Sequence, residues 1–307
     1  MIIVFGSLNI DLVMPVNHFP KPGETVLCST DYLSRPGGKG ANQAAAAAKA
    51  GGKVALVGKV GDDSFGRRSL NNLKQLGVWT SGIGTSERPT GCATIAVDMT
   101  GANIVMTAPG ANLDATSDQM PDEVFSDKNI ILTQLEVFPE ETFSVLERAY
   151  AKKATTILNA SPAGQIPSDV FHHVDYVIVN EVEAQQLAHG LGISGSDPKD
   201  LARKIAAKSG HAVIITMEAK GSIAVKGNET WHVEALPVEV VDTTGAGDAY
   251  CGIFAAFLQK GMGWVEALHR AGVGASLSCL GLGAQAGMPS LEEIEAHLPK
   301  VHAPKKI

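Results

Sequence analysis

Short runs of β-branched and aliphatic residues recur through the first two thirds of the chain, and segments with helical periodicity separate most of them. Runs of this length without polar alternation are typical of strands buried on both faces of a parallel sheet. Their alternation with helices indicates repeated strand–helix–strand units and predicts an α/β fold. The predicted strands are residues 2–5, 54–60, 130–134, 155–158, 176–179 and 213–216, and the predicted helices include 41–50, 141–152, 200–208, 246–260, 265–278 and 291–298.

Two segments interrupt this alternation with strand-like sequence where a helix would be expected. In the second segment, Thr100 and Gly101 form a hairpin signal between residues 94–98 and 103–106. We expect a small sheet above the carboxyl ends of the first strands, where open α/β sheets bind ligands. An antiparallel extension of the main sheet is the alternative. The predicted division is a main α/β domain (1–11, 34–89 and 109–300) and a β lid (12–33 and 90–108).

Composition narrows the class of protein. The chain has 307 residues, of which 45% are hydrophobic, enough for a large buried core. The formal net charge of −7 argues against a nucleic-acid surface, and no apolar run is long enough to cross a membrane. Four cysteines (Cys28, Cys92, Cys251, Cys279) lack metal-binding spacing. We therefore expect reduced thiols and a cytoplasmic protein, without nucleic acid or membrane as a partner.

The most informative motif is VDTTGAGDAY at residues 241–250, which leads directly into a helical run. Gly245, Ala246 and Gly247 leave their N–H groups accessible to an anion, and the helix adds its positive N-terminal end. A carboxylate here, Asp248, would repel a bound phosphate unless it acted on the reaction. A base beside a cradle for a transferring phosphoryl group explains the pairing. The alternative is that Asp248 only complements the helix dipole.

A second glycine motif, GGKGANQA, occupies residues 37–44 and enters an alanine-rich helix. Its glycines allow close approach of a ligand to the backbone, while Lys39 and Asn42 supply hydrogen-bond donors. The helix can be explained as a packing helix with a flexible entry, because alanine favours helices. Packing alone does not explain the GGKGAN segment.

These two motifs, in this order, resemble those of the ribokinase family of carbohydrate kinases. Almost the whole chain takes part in the resemblance, and the ordered set of motifs is far more specific than any one of them. The other matching segments are GSLNID (6–11), PGET (22–25), GDDSFG (61–66), PGAN (109–112), QLE (134–136), NEVE (180–183) and GAQ (283–285). The resemblance implies a three-layer, doubly wound, mostly parallel sheet with a β lid. It also implies ATP-dependent phosphorylation of a primary sugar hydroxyl, with D-ribose as the expected sugar.

The resemblance also assigns residues to the sugar side of the site. Polyol hydroxyls require both donors and acceptors, which amides and carboxylates after a strand can supply. Asn9 and Asp11 follow the first strand, and Asp248 faces the sugar as its base. The full expected set is Asn9, Asp11, Gly38, Lys39, Asn42, Glu136 and Asp248.

On the nucleotide side the resemblance is less complete. Asn180 opens a helix in a segment that in the family organises nucleotide phosphates and Mg²⁺. Glu218 stands where the family usually has glycine, and Gly272 where it has histidine or asparagine near the adenine, so nucleotide selectivity is open. The expected nucleotide-binding set is Asn180, Thr216, Glu218, Gly221, Gly245 and Gly247.

Activation by K⁺ and a homodimer formed through the lid are further implications of the resemblance. The cation would be held mainly by backbone carbonyl groups, which leave little trace in a sequence. Gly287 replaces a serine typical of the family, so the cation site can differ here. The expected carbonyl ligands are those of Asp242, Thr244, Ser278, Gly281 and Gly283.

Three other functions compete with that of a ribose kinase. A kinase of another sugar or a nucleoside is the nearest alternative, although the lid segments offer few aromatic residues beyond Phe19 and Tyr32 for stacking a base. A non-enzymatic sugar-binding regulator would be expected to lack Asp248 or the glycine triplet. A nicotinamide dehydrogenase requires G-x-G-x-x-G after a strand, and residues 6–9 do not match it.

Overall fold

The computed structural model describes residues 1–307 and contains two sheets and eight α-helices. The strands are β1 (Ile2–Phe5), β2 (Asn9–Pro15), β3 (Leu33–Gly37), β4 (Val54–Gly61), β5 (Trp79–Ser86), β6 (Gly91–Val97), β7 (Asn103–Ala108), β8 (Ile130–Thr133), β9 (Thr155–Asn159), β10 (Tyr176–Asn180), β11 (Ala212–Thr216), β12 (Ser222–Lys226), β13 (Glu229–Val233) and β14 (Lys305–Lys306). The helices are α1 (Lys39–Lys49), α2 (Ser64–Gln75), α3 (Pro139–Ala151), α4 (Glu181–Gly190), α5 (Pro198–Ser209), α6 (Ala246–Gln259), α7 (Trp264–Ser278) and α8 (Leu291–His297).

The main sheet has ten strands in the order β5-β4-β1-β8-β9-β10-β11-β12-β13-β14. Its strands from β5 to β11 are parallel, and β12, β13 and β14 extend the edge as antiparallel strands. Because the strand order reverses direction along the chain around β1 and β8, the carboxyl ends of these strands form a ligand crevice. The predicted doubly wound, mostly parallel α/β fold is confirmed.

Apolar side chains fill the space on both faces of this sheet, as expected for strands without polar alternation. On one face, Ile2 and Val4 of β1 belong to a core of 39 buried residues that includes α1, α6 and α7. On the other face, Ile3 and Phe5 belong to the layer under α3, and a further core lies beneath α4 and α5. The result is a three-layer architecture.

The second sheet has four strands in the order β3-β2-β6-β7. The predicted hairpin lies within it, because β6 and β7 pair antiparallel on either side of the turn that contains Thr100 and Gly101. Its strands extend past the segment boundaries expected from sequence: β2 starts at Asn9 and β3 ends at Gly37. Asn9 and Asp11, assigned from sequence to the main domain, therefore pair within the second sheet. None of the helices combines the length and apolar character needed to span a membrane.

Candidate active site

Two helices built from small residues bring distant parts of the chain together at the centre of the site. Alanines line the buried face of α1, and α6 crosses it closely at Gly252. A Cβ placed on Gly252 would lie 2.3 Å from the main-chain oxygen of Gln43, so only glycine permits this approach. The close crossing places the polar residues Asn42 and Gln43 of α1 against Asp248 in the first turn of α6.

Asp248 is a buried carboxylate held by two amide donors. The residue is only 6% exposed. Asn42 Nδ2 donates to Oδ2 at 2.9 Å, and Gln43 Nε2 donates to Oδ1 at 3.0 Å. Burial raises the pKa of Asp248, while the charge of Lys39 and the two amide donors oppose that rise. The carboxylate is therefore oriented and more basic than an exposed aspartate.

Several backbone N–H groups at the start of α6 have no hydrogen-bond acceptor within the protein. Gly245 adopts the left-handed conformation (φ 81°), which turns the chain into the helix. The N–H groups of Gly245, Gly247 and Asp248 have no partner within the protein. Ala246 departs from the expectation that it belongs to the cradle, because its N–H donates to the Thr243 carbonyl at 3.1 Å. The cradle therefore consists of three N–H groups at a helix N-terminus, an arrangement suited to an anion.

A polar cleft of roughly 200 Å³ opens at this helix start. A Cβ placed on Gly247 would meet no atom within 4 Å, so the cleft is open directly above the cradle. Glu218 and Gly221, expected on the nucleotide side, lie outside its lining. The lining residues are Lys39, Asn159, Ser161, Ile178, Val179, Asn180, Glu183, Thr216, Gly245, Gly247 and Asp248.

Asn180 and Glu183 enter the cleft through a capping box at the start of α4. Asn180 Oδ1 accepts from the Glu183 N–H at 2.8 Å, and Glu183 Oε2 accepts from the Asn180 N–H at 2.9 Å. This exchange fixes both side chains and leaves Glu183 Oε1 without a protein partner. Thr216, at the end of β11, donates its hydroxyl to the Val179 carbonyl at 3.3 Å. Asn159 at the end of β9, Asn180 at the end of β10 and Thr216 at the end of β11 thus line one cleft.

Glu218 lies in an exposed loop after β11 and has a left-handed backbone (φ 50°). This conformation explains why glycine suits the position in the resembled family. Gly221 has a structural role here: it has φ 84°, and a Cβ on it would lie 1.9 Å from the Val233 oxygen. Gly272 in α7 is similarly packed, with a Cβ position 3.3 Å from Val233 Cγ1, so β13 occupies the space that a larger side chain would need.

On the other side of Asp248, β2 presents Asn9 and Asp11. Asn9 is 3% exposed, and its Oδ1 accepts from Asn112 Nδ2 at 2.7 Å, which leaves its own amide nitrogen free of protein partners. The Asp11 carboxylate accepts no hydrogen bond from the protein and lies over Gly37, where a Cβ would be 2.2 Å from Oδ2. Burial, with the charges of Glu136 and Asp248, raises the pKa of Asp11 to about 7. The three carboxylates lie near enough to one another for their charges to interact.

Glu136 is tied to the turn between β1 and β2 and to the start of α1. Its Oε2 accepts from Ser7 Oγ at 2.6 Å and from the Lys39 N–H at 3.0 Å, while Oε1 remains free. Gly38 precedes α1 with φ 89°, and a Cβ on it would lie 2.7 Å from the Asn9 nitrogen. The Lys39 ammonium makes no hydrogen bond or ion pair within the protein. Burial alone lowers the pKa of Lys39, but Asp248, Glu136 and Glu183 outweigh it and raise the pKa.

Asn42 faces protein rather than open space, which differs from the expectation of a sugar contact. Its Nδ2 bonds Asp248, and its Oδ1 accepts from Gln285 Nε2 at 3.0 Å. Gln285 in turn accepts from Asn72 Nδ2 at 2.6 Å. Asn42 is thus a link between Asp248 and an amide chain that ends on α2.

Sequence reasoning missed Gln43, Gln134 and Asn112 as site residues, although each lies in a motif that carried the resemblance. Their signal was available in principle, because a glutamine or asparagine inside an apolar helix or beside a buried strand requires hydrogen-bond partners. The partners lie too far along the chain to be identified from sequence. Gln43, for example, contacts a residue 205 positions away.

The loop after α7 gathers three of the carbonyl groups expected to hold a cation. A Cβ placed on Gly287 would have as its nearest atoms the carbonyl oxygens of Ser278, Gly283 and Gly281, at 2.5, 3.3 and 3.4 Å. Asp242 ties this loop to the start of α6, because its Oδ1 accepts from the Thr244 N–H at 2.9 Å and its Oδ2 from the Gly283 N–H at 2.8 Å. Burial opposes ionisation, but these donors lower the pKa of Asp242.

The chain is similar to known carbohydrate kinases over almost its whole length. The model of the pfkB family of carbohydrate kinases matches residues 1–291. The chain belongs to this family. A ribokinase of Bacillus subtilis is 38% identical over 298 residues, covering 96% of this chain and 98% of the relative.

Two solved structures are similar over nearly the whole chain. The ribokinase of Thermotoga maritima superposes with a TM-score of 0.90 at 35% identity, covering 97% of this chain and 99% of that one. The ribokinase of Arabidopsis thaliana, solved with ribose and ATP, has a TM-score of 0.87 at 28% identity, covering 97% and 98%. The family resemblance expected from the motifs is confirmed, and this pfkB-family protein is an ATP-dependent carbohydrate kinase.

Proposed function

We propose that this kinase transfers the γ-phosphoryl group of ATP to the primary hydroxyl of D-ribose, yielding ribose 5-phosphate and ADP. One observation carries the proposal: the buried Asp248 carboxylate shares a helix start with three unoccupied N–H donors. A proton acceptor and an anion cradle are the two parts that phosphoryl transfer to an alcohol requires. The ribose and ATP bound to the Arabidopsis relative support the choice of substrates.

Asp248 acts as the base in this mechanism. The primary hydroxyl attacks the γ-phosphorus in line with the departing ADP oxygen, and its proton passes to Asp248 as the new O–P bond forms. The raised pKa of Asp248, caused first by burial, improves it as an acceptor. Its two amide donors hold the carboxylate so that it faces the cleft.

The N–H groups of Gly245, Gly247 and Asp248 stabilise the negative charge that develops on the transferred group and on the departing oxygen. Lys39, whose ammonium has no protein partner, adds a positive charge at the same cleft. If the lid excludes water from the cleft, these fixed donors act more strongly than they would in solution, because the local dielectric constant is then low.

The sugar binds between β2 and Asp248, where several polar atoms lack protein partners. The Asn9 amide nitrogen is a donor, and the Asp11 carboxylate and Glu136 Oε1 are acceptors for adjacent hydroxyl groups. Gly38 lets the sugar approach the backbone closely, and its lack of a side chain lets the backbone at Asn9 pack against it. Asn42 contributes indirectly, by holding Asp248 and, through Gln285, the loop after α7.

Mg²⁺ and K⁺ fit the residues present. No three His, Cys, Asp or Glu side chains are grouped to hold a metal ion by themselves, but Glu183 Oε1 is a free carboxylate oxygen beside the cradle. Mg²⁺ bound with the nucleotide would neutralise phosphate charge there, with Asn180 fixing Glu183 and Thr216 lining the same cleft. The carbonyl groups around Gly287, with those of Asp242 and Thr244, would hold K⁺.

Three expectations complete the proposal. The four-stranded sheet (β2, β3, β6 and β7) acts as a lid that excludes water from the reacting groups. The enzyme works as a homodimer through this sheet, whose β7 edge is exposed. A cytoplasmic location is supported by four free thiols.

A coupled assay of ADP release tests the substrate. D-Ribose, deoxyribose, fructose, other pentoses and nucleosides are compared with and without K⁺, at constant Mg²⁺ and ATP. We expect the highest kcat/KM with ribose, and an increase when K⁺ replaces Na⁺. A strong response to a nucleoside with none to ribose would instead favour a nucleoside kinase, and equal rates in K⁺ and Na⁺ would contradict the proposed cation site.

A further inference from the structure

The buried amide side chains behind Asp248 have a fixed direction, set by the charge at their end. An ionised carboxylate only accepts hydrogen bonds, so Gln43 must turn its NH₂ group toward Asp248. The same NH₂ group donates to Asn159 Oδ1 at 3.0 Å. Asn159 can accept there because its own nitrogen donates to the Ile178 carbonyl at 3.0 Å. Both hydrogens of the Gln43 amide are therefore committed.

Gln134 holds the Gln43 amide from the opposite side. Its Nε2 donates to Gln43 Oε1 at 2.7 Å. This contact prevents the Gln43 amide from flipping, because a flip would place two NH₂ groups against each other and an oxygen against the carboxylate. Gln43 and Gln134 are both 0% exposed, so water cannot supply an alternative partner.

The arrangement leaves one polar atom unsatisfied. Gln134 Oε1 is buried and has no hydrogen-bond partner, and it lies beside Gly6, where a Cβ would be only 2.0 Å away. A buried acceptor without a partner is unfavourable, and apolar side chains of similar size would avoid it. Two glutamines that served packing alone would gain nothing from this orientation. The orphaned oxygen is explained if the direction of the amides matters for the carboxylate they face.

We propose that Gln43, locked by Gln134, is a positioning residue that aims the Asp248 carboxylate at the sugar hydroxyl and favours its ionised form before transfer. The inference rests on the proposed function of Asp248 as the base. It assigns Gln43 no contact with either substrate. Asn42 holds Oδ2 of Asp248, and Gln43 holds Oδ1. The two carboxylate oxygens are therefore held from neighbouring positions of α1.

The charges that face Asp248 determine the sign of the expected pH effect. They are the charged groups of Lys39 on α1, Glu136 after β8 and Asp11 on β2; the Cys251 thiol on α6 also faces Asp248, and burial raises its pKa so that it stays neutral. None of them changes when Gln43 is replaced by methionine, which has a similar shape and no donor. Removing a donor from a carboxylate raises its pKa. The acid limb of the rate profile should therefore move to higher pH.

The experiment compares wild type, Gln43→Met, Gln134→Met and a control, Gln119→Met, in kcat and KM from about pH 6 to about pH 9. Gln119 is matched to Gln43 because its amide also donates to protein oxygens, at 2.8 Å to Gly58 and 3.3 Å to Gly82. For Gln43→Met we expect kcat to fall roughly tenfold near pH 7, because the carboxylate is both less well aimed and less fully ionised. The deficit should narrow toward alkaline pH, with the KM values for sugar and ATP nearly unchanged.

Gln134→Met keeps the Gln43 donor and releases its orientation, so it should show the same pH shift with a smaller loss. Gln119→Met should keep the wild-type pH profile. A uniform loss at every pH in Gln43→Met, or a change in KM alone, would overturn the inference by indicating a packing role. If Gln43→Met does not fold, an unshifted profile in Gln134→Met overturns it equally. Absence of sugar-dependent ADP release in wild type would instead remove the proposed function itself.

Discussion

Asp248 shows how opposing effects set the basicity of a single residue. Burial disfavours its charge, while Lys39 and the amides of Asn42 and Gln43 favour it. The balance leaves its pKa raised, which suits a group that must accept a proton near neutral pH. In the proposed mechanism, the neighbouring N–H cradle holds the phosphoryl group beside the carboxylate.

Asp248→Asn removes the proton acceptor with almost no change in shape. We expect kcat to fall by at least about a hundredfold, since general-base catalysis contributes that much or more. The sugar affinity should be preserved, because Asn9, Asp11 and Glu136 are untouched. Steady-state kinetics and calorimetric ribose binding measure both quantities, with Asp122→Asn, an exposed aspartate on Arg148, as the control. Near-normal turnover in Asp248→Asn would exclude it as the base.

Asp11 predicts a pH-dependent difference in stability. Its pKa is 3.8 in an unfolded chain and about 7 in the folded protein, chiefly through burial. Between these pH values the folded state binds a proton that the unfolded state has released, so stability falls as pH rises through this window. Asp11→Asn lacks this effect. The Tm of Asp11→Asn relative to wild type should therefore be higher at about pH 8 than at about pH 5.

Thermal unfolding of the two proteins in matched buffers measures this difference. Asp98→Asn serves as the control. Bonds to Thr100 lower the pKa of the exposed Asp98 carboxylate below its ordinary value of 3.8, so it is ionised in both states at either pH and its Tm difference should be the same at both. Equal Tm differences at both pH values would mean that Asp11 remains ionised in the folded protein.

At the scale of elements, sequence periodicity predicted most of the repeating parallel strands, and missed β5 and the strands that end the pattern. Strands such as β8 and β10 and helices such as α3 and α6 lie within a few residues of their predicted bounds, because buried parallel strands are unusually apolar. The antiparallel strands β12 to β14 were not predicted. β14 is only two residues long and is defined by its pairing with β13, a contact that no local pattern encodes.

The candidate site divides in the same way. Backbone features such as the turn at Gly245 and the helix start at Asp248 could be predicted, because glycine spacing and helix signals are local. The hydrogen bonds between side-chain amides could not be predicted, because they join α1 to the end of β8, to α2 and to α6 across the core. The resemblance placed Asn42 beside the sugar, and the structure adds that its side chain bonds Asp248 and Gln285.

The backbone strain at Glu218, after β11, can be tested by substitution. Glu218 holds a left-handed backbone that costs a residue with a Cβ about 1–2 kcal/mol, against the smaller entropic cost of glycine. Glu218→Gly should raise the free energy of unfolding by roughly 0.5–1 kcal/mol. Ala219→Gly, at a position without positive φ, should lower it by about the same amount. Urea denaturation measures both, and destabilisation by Glu218→Gly would show that the side chain makes compensating contacts.

At the scale of the whole molecule, the second sheet is linked to the main domain at the site itself. β2 follows β1 directly and carries Asn9 and Asp11, while Arg35 of β3 donates to the Leu282 carbonyl in the loop after α7. Movement of this sheet would therefore change sugar contacts and the carbonyl loop together. This connection gives the proposed lid a direct effect on the reacting groups.

The outer edge of this sheet is the basis of the last prediction. β7 pairs only with β6, and its central residues Ile104, Val105 and Met106 are 45%, 54% and 62% exposed. An apolar edge strand with free backbone groups favours pairing with another chain, and charged residues prevent it. If two copies associate through β7, Val105→Lys should weaken the dimer at least about tenfold, whereas Tyr150→Lys, an equally exposed position on α3, should not. Sedimentation equilibrium over a range of concentrations distinguishes the cases. A wild type that stays monomeric, or a Val105→Lys variant that dimerises normally, would place any subunit interface elsewhere.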